Sequence, residues 1–344
     1  MEGVSIIICC YNSEKRISIV LEHLMSQQVD PSINWEVIVV DNASTDNTAE
    51  VARRSWTRNE VSLKIFHESN PGLSNARSRG LKETSYSVVS FIDDDNWVEN
   101  QWVQKVHDWF AEDDKIGLLG GRGEAVFEGE RPEWFTIKQR SYAVGPQAKQ
   151  TGQVNGALYG AGLTIRKIVW EHLKSSGFKF ILSGRKGKSL TSGEDSELCS
   201  AVKLLGYQLF YDEDLHFYHF MPKERLNWPY LIKLSKAFGR SDPIINIYRS
   251  VLNGYRGYHK FIRENILGIV LYAIFQVIRS SPGYLRVLLF YNEGRREEAL
   301  FYRNVHRMIE SIRLIGSLSR YVSTIKQWST GARIPLETKL LVEK

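Results

Sequence analysis

The N-terminal part of the chain alternates apolar runs with amphipathic stretches, and this alternation restricts the fold more than any other feature. Residues 4–8 and 35–40 are continuous apolar runs rich in Val and Ile, which is typical of parallel strands buried on both faces. Between these runs, apolar residues recur at helical spacing over 17–25. Further strands are predicted over 62–66 and directly before Asp93. We therefore predict an α/β fold with a mixed, mainly parallel sheet flanked by helices.

Polar side chains stand where three of these predicted strands end. Tyr11 and Asn12 follow the first strand, Asp41 and Asn42 end the second, and residues 93–95 end the fourth. Ligands of doubly wound sheets bind outside the carboxyl ends of the strands. We therefore expect the three strand ends to meet in one crevice that binds a ligand.

The run Asp93-Asp94-Asp95 needs hydrogen-bond donors, water or a metal ion, because three adjacent carboxylates repel one another. In an extended chain, Asp93 and Asp95 point to one side and Asp94 points to the other. Two carboxylates on one side suit Mg²⁺ or Mn²⁺ shared with the phosphates of a substrate. The alternative interpretation is an acidic turn in contact with water.

Glu194 and Asp195 precede a periodic apolar stretch over 198–205 and are predicted to open a helix. Carboxylates in a first helical turn favour the helix dipole, so a purely structural role is one alternative. Residues 160–166 begin with Gly-Ala-Gly, which allows either close backbone packing or acceptor binding. The stretch 183–193 lacks the first glycine of a P-loop and is predicted to be a mobile basic loop.

The 344-residue chain has a formal charge of +6, which is unevenly distributed. Residues 1–221 contain 24 Lys and Arg against 30 Asp and Glu, whereas residues 222–344 contain 21 against 9. The acidic part requires cations to hold an anionic ligand, and the basic part favours an anionic surface. We predict two domains, 1–221 and 222–344.

The C-terminal domain is predicted to be helical. Ile266–Ile278 is an apolar run in which Gln276 is the one polar residue, and it is too short to span a bilayer. Residues 297–328 are predicted to form one long helix rich in Arg. This region either packs on the first domain or on a second subunit, as in a homodimer, or anchors the protein on anionic lipid.

Three further observations bear on location and partners. No run of apolar residues is long enough for a standard transmembrane helix, and residues 4–8 resemble a first strand more than a signal peptide. The three cysteines, Cys9, Cys10 and Cys199, show no metal-ligand spacing. No nucleic-acid recognition motif is present. We expect a cytoplasmic protein, located at the inner face of the membrane if the basic region is an anchor.

In their order along the chain, these motifs resemble the inverting family 2 glycosyltransferases of the GT-A fold. Six elements match: Tyr11-Asn12, Asp41-Asn42-Ala43-Ser44-Thr45-Asp46, Asn70-Pro71-Gly72 with Ala76-Arg77, Asp93-Asp94-Asp95, Glu194-Asp195 and His219. Cys9 stands where many members have proline, although other members carry cysteine. The resemblance implies a Rossmann-like nucleotide-diphospho-sugar transferase domain over 1–221, followed by a C-terminal helical extension.

The resemblance also implies a nucleotide-sugar site at the strand ends. Tyr11 would stack on the base and Asp41 would accept hydrogen bonds from it, since an aromatic face accepts any base. Arg77 would contact the base or the diphosphate, and Asp93 would hold the ribose. The remaining members of this predicted site are Asn12, Asn42 and Asp94.

For metal binding and catalysis, the resemblance implies Mn²⁺ or Mg²⁺ held by Asp95 and Asp93, with His219 as a further metal or phosphate contact. Asp195 would be the general base that takes a proton from the acceptor hydroxyl, and Glu194 would orient the acceptor or a loop.

The implied activity is transfer of a sugar, with inversion, from a UDP-sugar to a saccharide or lipid-linked acceptor in surface polysaccharide or glycolipid biosynthesis. The alternatives are a polyprenyl-phosphate sugar transferase, whose acceptor needs no strong base, and a non-catalytic nucleotide-sugar-binding protein.

Overall fold

The computed structural model describes residues 1–182, 192–290 and 296–331, so most of the predicted basic loop 183–193 lies outside the described residues. The chain divides into two compact units that interleave along the sequence. Unit 1 comprises Met1–Glu128, Tyr142–Glu171 and Tyr207–Pro222, and unit 2 comprises Gly129–Ser141, His172–Gly206 and Lys223–Lys344. The single domain boundary after residue 221 stays a prediction.

All of the strands in the described residues belong to unit 1. They are β1 Val4–Cys10, β2 Trp35–Asn42, β3 Ser62–Glu68, β4 Val88–Asp93, β5 Asn96–Val98, β6 Ile116–Phe127, β7 Gly152–Gln153, β8 Thr164–Arg166 and β9 Gln208–Met221. They form one sheet in the order β3-β2-β1-β4-β8-β6-β9-β5, with β7 beside β9.

The long ladders of this sheet are parallel and the short ones are antiparallel. Strand β1 pairs in parallel with β2 and β4, β2 with β3, and β6 with β9. The pairs β4–β8, β6–β8, β5–β9 and β7–β9 are antiparallel. The predicted α/β class with a mixed, mainly parallel sheet is confirmed.

The described helices follow in chain order. They are α1 Ile17–Met25, α2 Thr48–Ser55, α3 Leu73–Glu83, α4 Trp102–Glu112, α5 Phe135–Lys138, α6 Lys167–Ser175, α7 Glu194–Leu204, α8 Trp228–Asn253, α9 Gly257–Glu264, α10 Ile266–Phe290, α11 Arg296–Arg313 and α12 Ile315–Gly331. Unit 1 contains α1 to α4, and unit 2 contains α7 to α12.

Strand β1 is buried on both faces, which is why its sequence is continuously apolar. Ile6 and Ile8 lie in the core with Leu21 of α1. Ile7, on the opposite face, contacts α3 at Gly80, where an added Cβ would lie 2.7 Å from a methyl carbon of Ile7. Gly80 therefore lets α3 lie close to the sheet.

Unit 2 has its own apolar core, which includes Leu204, Ile244, Tyr248, Ile269 and Leu318. Helices α8 and α11 are also joined by a buried ion pair network. Asp242 accepts hydrogen bonds from Arg303 at 2.6 and 2.9 Å and from Arg307 at 2.9 Å. Burial alone would raise the pKa of Asp242, but these two guanidinium groups hold it below its ordinary value.

Helix α10 corrects the prediction for the apolar run 266–278. The helix continues through Pro282 as a single element, and Ile266–Leu289 is long and apolar enough to cross a bilayer by length and composition. The expectation that no helix meets this test is therefore wrong. Proline removes only one backbone donor, and the hydroxyls of Ser280 and Ser281 donate to carbonyls of the preceding turn.

The prediction of one long helix over 297–328 is also wrong. Helix α11 ends at Arg313 and α12 begins at Ile315, with a turn at Leu314 between them. Gly316 lies directly after this turn and has the lowest helix propensity of the residues around it. A single glycine within a periodic pattern is a weak signal, so the break was not predicted.

Candidate functional site

The register of β1 brings the predicted strand-end residues together. Cys10 pairs with Asp41 of β2, and Cys9 pairs with Asp93 of β4. The end of β1 therefore lies between these two aspartates, and Tyr11 follows directly with half of its surface exposed. The expected convergence of three strand ends is confirmed.

Asn12 connects the end of β1 to the loop after β2. Its Oδ1 accepts a hydrogen bond from the amide of Thr45 at 2.8 Å, and its own amide donates to Oγ of Ser44 at 3.0 Å. Helix α1 begins only at Ile17, so Asn12 does not cap this helix. Asn12 instead fixes one loop of the site to another.

Asn42 is buried, and its side chain lies against the end of β3 and the turn that follows it. Its Nδ2 donates to the carbonyls of Glu68 and Asn70, at 3.2 and 2.7 Å, and its Oδ1 accepts from the amide of Gly72 at 2.7 Å. Asn42 therefore holds the turn that precedes α3. Its predicted contact with a nucleotide sugar stays a prediction.

At the same edge of the sheet, Asp41 has a carboxylate and Tyr11 has an exposed aromatic ring. Oδ1 of Asp41 accepts from the amide of Ser44 at 3.2 Å, and Oδ2 lies 3.6 Å from Nδ1 of His67. His67 was not among the predicted site residues. The feature that could have identified His67 is its position near the end of β3, where it pairs in register with Asp41.

Arg77 lies at the same edge because α3 packs closely on β1. Its Nη2 is 3.4 Å from the carbonyl of Gly160 and 4.0 Å from Oδ1 of Asp93. Its guanidinium carbon lies 5.2 Å from the centre of the Phe91 ring. The Gly160 backbone thus contacts a predicted site residue, so the glycine-containing segment helps to hold Arg77.

Asp94 lies with Asp95 in the turn between β4 and β5, so the extended chain assumed for the alternation of these carboxylates ends at Asp93. Its Oδ2 accepts hydrogen bonds from Nη2 of Arg16 at 2.6 Å and from the hydroxyl of Ser13. Burial raises the pKa of the Asp94 carboxyl, and the adjacent charge of Asp95 adds to this shift. Asp94 therefore ties the acidic run to the segment before α1.

Asp95 faces His219 because β5 pairs with β9. The amide of Phe220 donates to the carbonyl of Asp95 at 2.8 Å, and His219 pairs in register with Asn96. Nδ1 of His219 lies 2.8 Å from the carbonyl of Tyr142, so this nitrogen carries a proton. Nε2, which holds a lone pair in the neutral ring, lies 3.5 Å from Oδ1 of Asp95.

This pair fits a divalent cation, because two atoms with lone pairs face each other. Asn96 adds to the fit, since it is fully buried and neither polar atom of its amide has a partner in the described parts of the chain. Residues directly opposite in a ladder share one face of the sheet, so Asn96 lies on the same face as His219. Carboxylate and amide oxygens bind Mg²⁺ and Mn²⁺, and the imidazole nitrogen is a ligand of transition-metal ions, so this set suits Mn²⁺ better than Mg²⁺.

The protein groups at this place do not complete a coordination shell. Within the described residues, no group of three or more His, Cys, Asp and Glu side chains is arranged to hold a metal ion. A cation bound by Asp95 and His219 would therefore take most of its ligands from a bound substrate or water, as Mg²⁺ commonly does. Asn96 was not among the predicted site residues. The sequence feature that could have identified it is its position directly after the acidic run.

Glu194 and Asp195 occupy the first turn of α7 in unit 2, as predicted. Gly193 precedes them with a φ of 108°, a conformation that favours glycine. An added Cβ there would also lie 2.7 Å from Cβ of Ser241. Oδ1 of Asp195 accepts from the amide of Ser196 at 2.7 Å.

Glu197, one turn along α7, is completely buried and was not predicted as a functional residue. Its carboxyl group accepts from the amides of Ile181 and Leu182, at 3.0 and 2.8 Å, and from the hydroxyl of Tyr248 at 3.0 Å. Burial raises its pKa to about 7, against the opposing effect of these donors. Glu197 thereby joins α7 to α8 and to the segment ending at Leu182.

The N-terminal part of the chain, which contains this edge of polar residues, matches a known protein family. The sequence model of "Glycosyl transferase family 2" matches residues 5–173. Within this range lie all the predicted nucleotide-sugar residues. Residues 5–173 belong to glycosyl transferase family 2, as the motifs predicted.

Several curated proteins are similar over part of the chain. "Putative glycosyltransferase EpsH" of Bacillus subtilis is 30% identical over 104 residues, which cover 30% of this chain and 29% of that protein. "Poly-beta-1,6-N-acetyl-D-glucosamine synthase" of Staphylococcus aureus is 28% identical over 121 residues, or 35% and 28% of the two chains. "Glycosyltransferase AglE" of Haloferax volcanii is 30% identical over 146 residues, or 41% and 47%. The chain thus matches less than half the length of each of these relatives.

Among solved structures, S. aureus TarS 1–349 aligns over 97% of this chain and 93% of its own, with 16% identity and a TM-score of 0.49. The same values hold for its complex with UDP-GlcNAc. The sheet and the family match together define a glycosyltransferase domain of the GT-A class.

Glu197 should make the stability of the protein depend on pH. Because its pKa is raised from 4.5 to about 7, the folded state holds a proton that the unfolded state releases. Its contribution is fully present below pH 4.5 and is lost as the pH rises through about 7. We expect the free energy of unfolding to fall over this range by at most about 1.4 kcal/mol per pH unit more than in Glu197→Gln.

Urea denaturation at a series of pH values measures this difference in slope. Glu171→Gln, which changes an exposed glutamate, is the matched control and should keep the wild-type slope. Equal slopes for the wild type and Glu197→Gln would show that the carboxyl group does not titrate in this range.

Proposed function

We propose that this protein transfers a sugar from a nucleotide-sugar donor, specifically a UDP-sugar, to a hydroxyl group of a saccharide or lipid-linked acceptor. The product belongs to surface polysaccharide or glycolipid biosynthesis. The observation that carries this proposal is the register that brings Tyr11, Asp41 and Asp93 to one edge of the sheet, together with the facing pair Asp95 and His219. The name of one relative, a poly-N-acetylglucosamine synthase, supports a carbohydrate product.

The donor binds at the carboxyl ends of β1, β2 and β4. Tyr11 presents a half-exposed ring on which a base stacks, and Asp41 accepts a hydrogen bond from an N–H group of that base. Asp93 accepts hydrogen bonds from the ribose hydroxyls. Arg77, which is held between Asp93 and Gly160, supplies a positive charge for the diphosphate.

Asp95 and His219 would hold Mn²⁺ or Mg²⁺, with Asn96 beside them. When bound, such a cation neutralises charge on the departing nucleoside diphosphate. Tyr142 keeps the proton of His219 on Nδ1, so that Nε2 faces Asp95. The excess of acidic residues over 1–221 requires a cation before a diphosphate can bind there.

Asp195 acts as the general base, and Glu194 orients the acceptor. Asp195 takes the proton from the acceptor hydroxyl while that oxygen forms a bond to the anomeric carbon and the bond to the nucleoside diphosphate breaks. One displacement inverts the anomeric centre, so an α-linked donor gives a β-linked product.

None of the three cysteines forms a disulfide, which supports a cytoplasmic location.

A donor screen tests the proposed function. We expect a UDP-sugar to release its nucleoside diphosphate fastest in a panel of UDP-, GDP- and dTDP-sugars with Mn²⁺. Asp41→Ala should weaken UDP binding by roughly tenfold or more, because a hydrogen bond to a charged group is lost. Asp30→Ala, which changes an exposed aspartate away from the strand ends, is the control. Tighter calorimetric binding of GDP than of UDP would reverse the donor assignment.

A second experiment tests the metal. We expect EDTA to abolish transfer and Mn²⁺ or Mg²⁺ to restore it. Asp95→Asn removes a charged ligand, so it should lose transfer more than it loses affinity for UDP. Asp108→Asn, on the exposed face of α4, should behave as the wild type. Undiminished transfer by Asp95→Asn would exclude the metal role of this residue.

A third experiment tests the base. Asp195→Asn keeps the size of the side chain but cannot take the proton, so turnover should fall roughly 10²–10⁴-fold with donor affinity within a few fold of the wild type. Glu194→Gln, its neighbour in the same helical turn, should lose less. Transfer by Asp195→Asn at the wild-type rate would mean that Glu194 is the base or that the acceptor is already an anion. The latter result favours a polyprenyl-phosphate acceptor.

A further inference from the structure

Helix α10 carries a continuous apolar stripe on its exposed side. We call it the outer stripe, and its members are each between 50% and 77% exposed: Leu267, Leu271, Phe275, Ile278, Leu285 and Leu289. At 3.6 residues per turn, these side chains lie within an arc of about 80° around the helix axis. Isolated exposed apolar residues are common on soluble proteins, but a stripe that runs the length of a helix marks an interaction surface.

The opposite side of α10 packs inside unit 2. Ile269, Ala273 and Val287 are buried there. Nδ2 of Asn304 in α11 donates to the carbonyl of Gln276 and to the hydroxyl of Ser280, both at 3.2 Å. These contacts fix the rotation of α10, so the outer stripe is held facing away from its own unit.

Helix α9, which packs against α10, has two exposed aromatic side chains. An added Cβ at Gly268 of α10 would lie 2.2 Å from the carbonyl oxygen of Phe261, so the two helices are in close contact at this point. Phe261 is 39% exposed and Tyr258, one turn earlier, is 65% exposed. Aromatic side chains are favoured at the boundary between water and lipid.

The exposed charges within α9 and α10 have one sign, although the exposed Glu297 of α11 lies against α10 at Gly283. In residues 256–289 the exposed charged side chains are all basic: Arg256, Lys260, Arg279 and Arg286. The single acidic residue there, Glu264, is buried and is bound by Lys326 and by the hydroxyl of Ser250. Arg279 and Arg286 are two turns apart and lie on the same flank of the stripe.

These charges argue against a span across the bilayer, although Ile266–Leu289 is long enough for one. Arg279 lies close to the middle of that segment, where a bilayer centre would hold a cation at high cost. The inner side of α10 is also bound to α11, which carries seven charged residues over Arg296–Arg313. A helix that lies in the plane of the surface keeps both features in water.

A second copy of this chain is also a poor partner for the stripe. A two-fold dimer brings the same patch of each subunit together. The patch offers exposed cations without exposed acidic partners over 256–289, so two copies would bring like charges together. An anionic partner with an apolar layer beneath it matches both the stripe and its flank.

We propose that the outer stripe, with Tyr258, Phe261 and the flanking arginines, docks on an anionic lipid surface with α10 lying parallel to it. The apolar side chains enter the acyl boundary, and the arginine side chains reach the phosphate groups. This proposal concerns where the protein works, and its test does not depend on sugar transfer.

Vesicle flotation of the full chain tests the proposal. We expect binding to vesicles of phosphatidylcholine with phosphatidylglycerol, and much weaker binding to phosphatidylcholine alone or in high salt. The stripe variant Leu271→Gln/Phe275→Gln/Ile278→Gln should bind about 100-fold more weakly, because three half-exposed apolar side chains no longer enter the lipid. Arg279→Gln/Arg286→Gln should lose roughly tenfold on the anionic vesicles and little on the neutral ones.

The matched control is Leu300→Gln/Ile309→Gln/Ile312→Gln in α11, whose three side chains are 46% to 48% exposed but do not form a stripe. It should bind vesicles as the wild type does. All substituted positions are exposed, so the circular dichroism spectra should be unchanged and binding can be compared directly.

Three results would overturn the proposal. The first is equal vesicle binding by the stripe variant and the wild type. The second is protein that stays with the vesicles in alkaline carbonate, which indicates a spanning helix. The third is a dimer, found by light scattering, that ignores vesicles and dissociates in the stripe variant.

Discussion

The register of β1 between β2 and β4 is the constraint on which the candidate site depends. It sets Cys10 opposite Asp41 and Cys9 opposite Asp93, so two carboxylates lie on either side of one strand end. A shift of one residue would exchange the faces of every side chain on β1 and bury polar groups in its apolar core. The continuous apolar sequence of the strand and the close contact at Gly80 both oppose such a shift.

The polar residues at this edge differ in what surrounds their side chains. The side chains of Asn42 and Asp94 form hydrogen bonds with neighbouring segments, because a buried polar group without a partner is costly. Tyr11 is half exposed, and Asp95 faces a histidine nitrogen that offers a lone pair. The first two residues hold the edge together, and the second two are those to which the proposed function assigns the nucleotide base and the cation.

In unit 2, the exposed apolar side of α10 depends on the packed interior behind it. Its interior is held by apolar packing and by buried polar contacts such as Asp242 with Arg303, which fix how α8, α10 and α11 pack. That packing leaves the basic and apolar side of α10 exposed. A surface of this kind is stable only because the inner side of the same helix is fully engaged.

The sequence by itself determined the α/β alternation, the parallel strands and the polar strand ends, since these follow from local periodicity. Only the tertiary structure decided what depends on contacts between distant segments. The pairing of β5 with β9 brings His219 to Asp95 and reveals Asn96 beside them. The extension of α10 through Pro282 likewise depends on packing against α11. Local patterns do not encode such pairings, because their free energy comes from burial and hydrogen bonds that form only in the folded chain.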